Sequence, residues 1–325
     1  MMLPPHLSSK VFLAPMAGIT DQPLRQLTRS FGSCNIVSEM VAVNAVSRRN
    51  PKTYRIADVR AENYPVTVQL VGNEPELFVQ VVPLIEELGA AGIDINMGCP
   101  VKKIVNNRSG SYLMTDIARA ASIITQVRNT TRLPLSIKFR KGWDCNHINA
   151  VEFAKMCEDC GADYLTLHGR TKTEMYSGTA DWDIIGEVKA AIKIPLIGNG
   201  DITSPQTARQ MLDYTQADGV MIGRAALGRP WLIAQTHKFL EHGILSQPMS
   251  IELIKTTMLR HIRALSDYYG EKTALQLARK YVCWYCKGMR DACRFREKFV
   301  RIADMSQALV EIDRFFDYNR EEALS

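Results

Sequence analysis

The stretch GIDINMGCPVKK, residues 92–103, starts with the alternation of a strand and ends as a polar, basic loop that carries a thiol, Cys99. A cysteine beside a proline, after Asp94 and Asn96 and before Lys102 and Lys103, has the company to be a metal ligand, a nucleophile, an acid or a plain turn residue. Metal-like spacing also occurs in Cys157/Cys160 and in Cys283/Cys286, with Cys293 seven residues further on. Both pairs sit in helical patterns, where cysteines three apart pack into a core, and no histidine follows at zinc-finger spacing. No metal is therefore expected. Eight cysteines in 325 residues are too sparse for a disulfide scaffold and should be mostly free thiols.

Asn96 belongs with three other polar residues, Gln69, Lys138 and His168, that fall toward the ends of strand-like runs. The parity around them is regular. Thr67 and Gln69, Asp94 and Asn96, Ser136, Lys138 and Arg140, and Thr166 and His168 alternate with Val66, Val68, Ile93, Ile95, Ile137, Phe139, Leu165 and Leu167. A sheet covered by helices on both sides is apolar on both faces, whereas a closed barrel can turn one face toward a ligand-holding lumen. The polar row is expected to point inward, near the C-terminal strand ends where barrel active sites are built. A solvated open face is the alternative, for which the intervening helices leave little room.

Eight β-rich runs carry these residues: 11–15, 35–40, 66–70, 92–97, 135–140, 164–169, 195–200 and 219–223. Most are separated by stretches of helical periodicity, such as PELFVQVVPLIEELGAAG and SPQTARQMLDYTQA. The pattern predicts a TIM (β/α)8 barrel over residues 1–242, with a doubly wound sheet as the architectural rival. The longer gap after the second strand predicts extra loop and helix there. From residue 243 to 325 only helical patterns follow, which predicts a small C-terminal α-helical domain.

The segments GNGD, 198–201, and GRAALG, 223–228, follow the seventh and eighth runs, where barrels commonly clamp a phosphate. Their glycines allow close backbone approach and Arg224 offers a guanidinium. A buried Lys138 needs an anionic partner or must lose its proton. A flavin ring, negative near N1 and O2 when reduced, would supply that partner, as would a structural ion pair with Asp94 or Glu39.

Between Arg279 and Arg301 eight basic residues stand against only Asp291 and Glu297, interleaved with Tyr281, Trp284, Tyr285 and Phe295. Such a cluster suits a phosphate backbone with bases free to stack. A solvated helix face is the other reading. The whole chain is 46% hydrophobic with a net charge of only +6, so the distribution of charge says more than its total. No apolar run approaches the roughly 20 residues that span a bilayer, and the first residues lack a signal-like run. A soluble cytoplasmic protein is expected.

The segments APMAGITDQPLR, SEM, VQLVGNEP, DINMGCPVKK, SGSYLM, KFRKGWD, HGRT, IGNGDI and VMIGRAALGRPW resemble those of the flavin-dependent tRNA-dihydrouridine synthases, and among these the bacterial B-type branch. The resemblance covers nearly the whole chain, including ARKYVCWY in the helical tail. It implies an FMN-bound barrel that uses NADPH to reduce the 5,6 double bond of a uridine in the D-loop of tRNA. On this likeness Pro15, Met16 and Ala17 line the FMN, and Gln69 and Lys138 contact its ring. His168, Asn199, Gly200, Asp201, Gly223 and Arg224 complete the cofactor site toward the phosphate. Cys99 matches the proton donor: hydride from flavin N5 goes to C6 of the uracil and the thiol protonates C5. A thiol of ordinary pKa about 8.5 is mostly protonated at neutral pH yet gives up its proton readily.

Asn96 and Arg170 are expected to hold the polar edge of the uracil, while Lys102 and Lys103 point at RNA phosphates instead of lowering the thiol pKa. Arg290 and Arg294 are expected in the tRNA-gripping surface, and the enzyme is expected to be a monomer. Two rivals stand beside this reading. One is a flavin barrel acting on a free pyrimidine such as dihydroorotate, which would need no basic helical domain. The other is a non-catalytic RNA-binding protein, which would have no use for Cys99, Lys138, His168 and Arg224 together.

Overall fold

In the computed structural model, which describes residue 4 and residues 7–322, eight parallel strands close into a barrel in chain order. They are β1 (Val11–Leu13), β2 (Asn35–Ala42), β3 (Val66–Val71), β4 (Gly92–Met97), β5 (Leu135–Arg140), β6 (Tyr164–His168), β7 (Leu196–Asn199) and β8 (Gly219–Ile222). Pairing of β1 with β8 completes the cylinder, so no edge strand is left open. The polar and apolar parities separate as the sequence implies. Val68, Ile95, Phe139 and Leu167 join the large core shared with the surrounding helices, among Phe78, Ile123, Phe153 and Ile185. The polar row turns into the lumen, and the register sets it in layers: Gln69 beside Asp94 and Asp94 beside Ser136, then Asn96 beside Lys138, then Arg140 beside His168 and His168 beside Asn199.

The lumen is not polar throughout. Phe12, Val37, Tyr164, Ile197 and Met221 form a separate buried cluster, against which Leu7 packs. They close the barrel floor, so a ligand can occupy only the mouth. A register shift in β2 between Val37 and Met40 interrupts its ladder with β3. This bulge leaves Ser38 Oγ to accept from the Gln69 amide at 3.1 Å and frees Glu39 to bond the Gly18 amide.

The long connection after β2 holds two short helices, Val43–Ser47 and Pro51–Ala57. The second starts with proline at its first position and Asn50 accepting from the Lys52 and Thr53 amides. Asp21 caps Gln22–Arg29 in the same way, and Ser204 with Thr207 forms a capping box on Pro205–Thr215. The Asp21 and Ser204 caps end the connections that follow β1 and β7, and so fix the loops on that side of the barrel mouth.

The helix Trp231–His242 stops at Gly243, whose φ of +69° suits a left-handed cap. The C-terminal region consists of helices Ile251–Tyr269, Glu271–Tyr285, Ala292–Phe299 and Met305–Glu322. They have a core of their own, built on Met258, Ile262, Val282, Phe299 and Phe316, into which Trp231 also packs. This corrects the reading of the tail aromatics as base-stacking surfaces. Tyr281 is 1% exposed, Tyr285 3% and Phe295 6%, and Phe295 stacks on Phe315 with ring centroids 4.0 Å apart. Their spacing along the helices is that of a core stripe, and the cations between them point outward.

Among the described residues no helix is long and apolar enough to cross a membrane, and no group of three or more His, Cys, Asp or Glu is arranged to hold a metal. All eight cysteines are free thiols.

Candidate active site

The ends of the strands and the loops that follow them enclose a cavity of about 630 Å³ at the barrel mouth. Pro15, Met16 and Ala17 form one wall, from the loop after β1. Gln69, Asn96, Lys138 and His168 rise from the lumen, and Asn199, Gly200, Asp201, Gly223 and Arg224 close the side nearest β7 and β8. Cys99 lies at the rim. The structure therefore brings together residues from the ends of seven separate strands, where the sequence placed them.

Below the mouth the polar groups are joined. Asp94 accepts from Ser136 Oγ at 2.6 Å and from Gln69 Nε2 at 2.7 Å. Gln69 Oε1 accepts from Asn96 Nδ2 at 2.8 Å, and Asn96 Oδ1 accepts from the amides of Gly98 and Cys99 at 3.1 and 2.8 Å. Lys138 Nζ donates to Asn199 Oδ1 at 3.0 Å instead of forming the direct ion pair with Asp94 or Glu39 that was its alternative. Glu39 is engaged with Gly18, and Asp94 with Ser136 and Gln69.

The electrostatics favour an anion. Lys138, Arg140, Arg224 and Lys287 all line the cavity, against, among the described residues, the single lining carboxylate of Asp201. Burial, aided by Arg140, brings the Lys138 pKa down to about 8, while Asp94 opposes the fall. His168 is pushed well below its usual value by burial, then by Lys138, Arg140, Arg170 and Arg224, so its ring is neutral at neutral pH. Its buried Nδ1 has no partner among the described residues. A Cβ at Gly223 would meet Ala14 at 3.6 Å, an ordinary van der Waals contact, on the cavity wall. A phosphate-bearing, planar ligand with hydrogen-bonding edges fits this donor set: cations for the charge, amides for the edge and an unused ring nitrogen beside them.

Cys99 is held in place from two sides. Its carbonyl accepts from Ser111 N at 3.1 Å and Ser111 Oγ at 3.0 Å, while its amide is bonded to Asn96. Arg140 Nε donates to the carbonyl of the preceding residue, Gly98, at 2.8 Å. Burial pushes the thiol pKa up, which outweighs the opposite pull of the Val101 amide, Arg140 and Lys138. The group is therefore a protonated thiol at neutral pH, the state an acid needs. Lys102 and Lys103 are exposed on the short helix Lys102–Asn106 and are not among the groups that shift the thiol.

One expected residue lies elsewhere. Arg170 does not line the cavity: it is 1% exposed, with Nη2 on Asp201 Oδ2 at 2.7 Å and on the Gly178 carbonyl, and Nε on the Ser177 carbonyl. It follows Gly169 off the end of β6 and turns behind Asp201, where three acceptors hold it. Asp201 in turn meets Arg224 Nη2 at 3.3 Å, so Arg170 acts on the site by fixing Asp201.

Arg140, which shares the inward parity of Lys138, lines the cavity where Arg170 does not, and that parity was legible in the sequence. Tyr176, the other residue the sequence reading passed over, stands half-exposed at the rim with Arg140 and Arg224 guanidinium carbons 5.5 and 5.1 Å from its ring centre. It sits in an irregular loop with no periodic signal. Arg290 and Arg294 are exposed on the helical region, outside the cavity lining, whereas Lys287 of the same region reaches it.

A closed parallel barrel whose mouth is cationic, glycine-lined and fitted with a protonated thiol defines a cofactor-dependent barrel enzyme. Solved structures agree on the fold. The chain superposes on histamine dehydrogenase from Rhizobium sp. 4-9 with a TM-score of 0.57 at 13% identity, covering 79% of this chain and 49% of that one. The old yellow enzyme homologue from Zymomonas mobilis gives 0.52 at 15% identity, covering 75% and 92%.

The family is narrower. The sequence model of the dihydrouridine synthase family matches residues 12–320, and the chain belongs to that family. It is 40% identical over 312 residues to tRNA-dihydrouridine synthase B of Vibrio cholerae serotype O1, covering 96% of this chain and 97% of that one. The same enzyme of Xanthomonas axonopodis pv. citri is 40% identical over 97% of this chain and 95% of its own. A probable tRNA-dihydrouridine synthase of Rickettsia conorii is 43% identical over 90% and 88%.

Proposed function

We propose that this protein is a tRNA-dihydrouridine synthase that reduces the C5=C6 bond of a D-loop uridine, with FMN in the barrel mouth, NADPH as reductant and Cys99 as proton donor. The observation that carries the reading is the position of Cys99: a thiol kept protonated by burial, on a loop pinned at the rim of a cationic cavity. Family membership and B-type relatives along nearly the whole chain support it.

The chemistry that FMN supplies when bound is hydride transfer to C6 of the uracil. Gln69 and Lys138 would meet the ring edge, where the Lys138 ammonium stabilises negative charge. His168 Nδ1 and the Arg224 guanidinium would turn toward the phosphate side. Pro15, Met16 and Ala17 would cover the ring and exclude water.

The uracil then enters above, held by Asn96 and Arg140. Cys99 Sγ gives its proton to C5, which with the hydride at C6 saturates the bond. A thiol suits this step because a carboxylic acid would already be ionised, and an ammonium would compete with the charge that Lys138 must neutralise. The uridine must swing out of the folded RNA to reach this depth. Lys102, Lys103, Lys287, Arg290 and Arg294 are exposed and would hold RNA phosphates, with the helical region as the gripping unit. We further read the protein as a cytoplasmic monomer.

The test is to treat unmodified tRNA with the purified yellow protein and NADPH and to map dihydrouridine. A D-loop uridine converted only in the presence of NADPH supports the proposal. No conversion with flavin-loaded protein would overturn it.

A further inference from the structure

A carboxylate on β4 does not line the cavity yet ends a continuous row of hydrogen bonds that reaches the Cys99 loop. Asp94 is 2% exposed and lies below the cavity, which it does not line. From it the row runs through the Gln69 amide, the Asn96 amide and the backbone amides of Gly98 and Cys99. A carboxylate only accepts, and a side-chain amide donates at one end and accepts at the other. Asp94 therefore obliges Gln69 to aim its NH2 downward and its oxygen at Asn96. Asn96 must then offer its NH2 to Gln69 and its oxygen to the loop. Reversing either amide sets oxygen against oxygen or NH2 against N–H among side chains that are all buried, where an unmatched polar group is costly.

We infer that Asp94 is a positioning residue: through the orientation of the Gln69 and Asn96 amides it sets the backbone of the loop that carries Cys99. The inference rests on the proposed role of Cys99 for its catalytic consequence, but not for its structural one. It assigns the effect of Asp94 to its ability to accept hydrogen bonds, with Ser136 Oγ holding the second oxygen at 2.6 Å.

That distinction yields a specific pattern of variants. In Asp94→Ala the Gln69 NH2 loses its acceptor, and Gln69 is held only from the Asn96 side. In Asp94→Asn the oxygen can still face Gln69 Nε2 while the NH2 donates to Ser136 Oγ, so the direction survives. In Asn96→Asp the carboxylate still accepts from the loop but can no longer donate to Gln69, and Gln69 is caught between two carboxylates. Combining Asn96→Asp with Asp94→Asn lets Gln69 reverse and restores a matched row.

The experiment uses the flavin-loaded full chain and two readouts, kcat for tRNA reduction and the rate at which iodoacetamide alkylates Cys99, followed by mass spectrometry of its peptide. Asp94→Ala should lower kcat and raise Cys99 alkylation, each about tenfold, with KM for tRNA changed far less. Asp94→Asn should return both readouts close to the parent. If Asp94→Ala does not fold, Asn96→Asp against the double variant decides the matter: alkylation should rise in the single variant and fall back in the double.

Parent-like alkylation in Asp94→Ala would overturn the inference. Equal damage from Asp94→Ala and Asp94→Asn would also overturn it, since charge and not accepting geometry would then be what matters. Should Cys99→Ala retain turnover, the donor role fails, yet the alkylation pattern still accepts or rejects Asp94 as the residue that sets the loop.

Discussion

Arg140 Nε donates to the carbonyl of Gly98, so the last residue of β5 holds the residue that precedes the thiol on the loop after β4. The same guanidinium donates through Nη1 to the carbonyls of Thr171 and Met175, both at 2.8 Å. One cation thus ties the Cys99 loop to the loop after β6. Arg140→Met should lower tRNA turnover by about a hundredfold through loss of these bonds and of charge beside the uracil. Arg140→Lys should recover little, because one ammonium cannot span three carbonyls in two directions. Single-turnover reduction of tRNA by pre-reduced enzyme measures this, and a near-normal lysine variant would refute the spanning role.

Cys99→Ala should keep its flavin and its reduction by NADPH while losing uridine turnover by roughly 10²–10⁴-fold, the range of general acid catalysis. Stopped-flow reduction and dihydrouridine mapping separate the two steps. Unchanged turnover would remove Cys99 from the donor role.

Lys138 links cofactor affinity to pH. Its pKa stands at about 8, so the ammonium is present below that value and disappears as pH rises through it. FMN binding to apoprotein, followed by quenching of flavin fluorescence, should weaken between pH 7 and 9. In Lys138→Met affinity should be about tenfold lower at pH 7 and lack this falling limb. A flat profile in the parent protein would contradict the assignment.

His261 links fold stability to acid. It is fully buried in the helical region, Nδ1 lies 3.2 Å from the Tyr285 hydroxyl, and burial pushes its pKa down to about 3. An unfolded histidine titrates near 6.5. Between the two values the unfolded chain binds a proton that the folded chain refuses, so this contribution to stability is complete above about 6.5 and is lost as pH falls toward 3, at up to about 1.4 kcal/mol per pH unit. Asp21 and Asp94, raised to about 6, act with the opposite sign over part of that range and cancel when a variant is compared with its parent. His261→Gln should therefore lose less stability than the parent between pH 7 and 5 in urea titrations. Parallel losses would show that His261 is not the group titrating.

Arg290→Glu with Arg294→Glu should weaken tRNA binding and flatten its dependence on salt, while flavin reduction by NADPH stays normal. Filter binding at several salt concentrations checks it, and unchanged affinity would place the gripping surface elsewhere.

The barrel was legible because its strands repeat one simple alternation, and inward Gln69, Asn96, Lys138 and His168 could be read from parity alone. The apolar floor was not, since Phe12, Val37 and Met221 look like any other strand residues until closure decides which way they face. Arg170 and Arg140 show the limit for long side chains. Both sit near strand ends, but which one reaches the cavity depends on three carbonyl and carboxylate acceptors supplied by residues 177, 178 and 201. Tyr281 and Tyr285 misled for the opposite reason: next to cations they resembled a stacking surface, and only the packing of four helices revealed them as core.

The Gly18 peptide has its N–H bonded to Glu39 of the barrel and its carbonyl bonded to Lys280 of the helical tail, while the Tyr281 hydroxyl reaches the next carbonyl, Ile19, at 3.3 Å. Because Ile19 and Ala17 are cavity wall, the tail is masonry in the chamber as well as a handle for RNA. A barrel severed after His242 would lose the outer buttress of that wall, and grafting a foreign tail would succeed only where a lysine and a tyrosine arrive at the same two carbonyls.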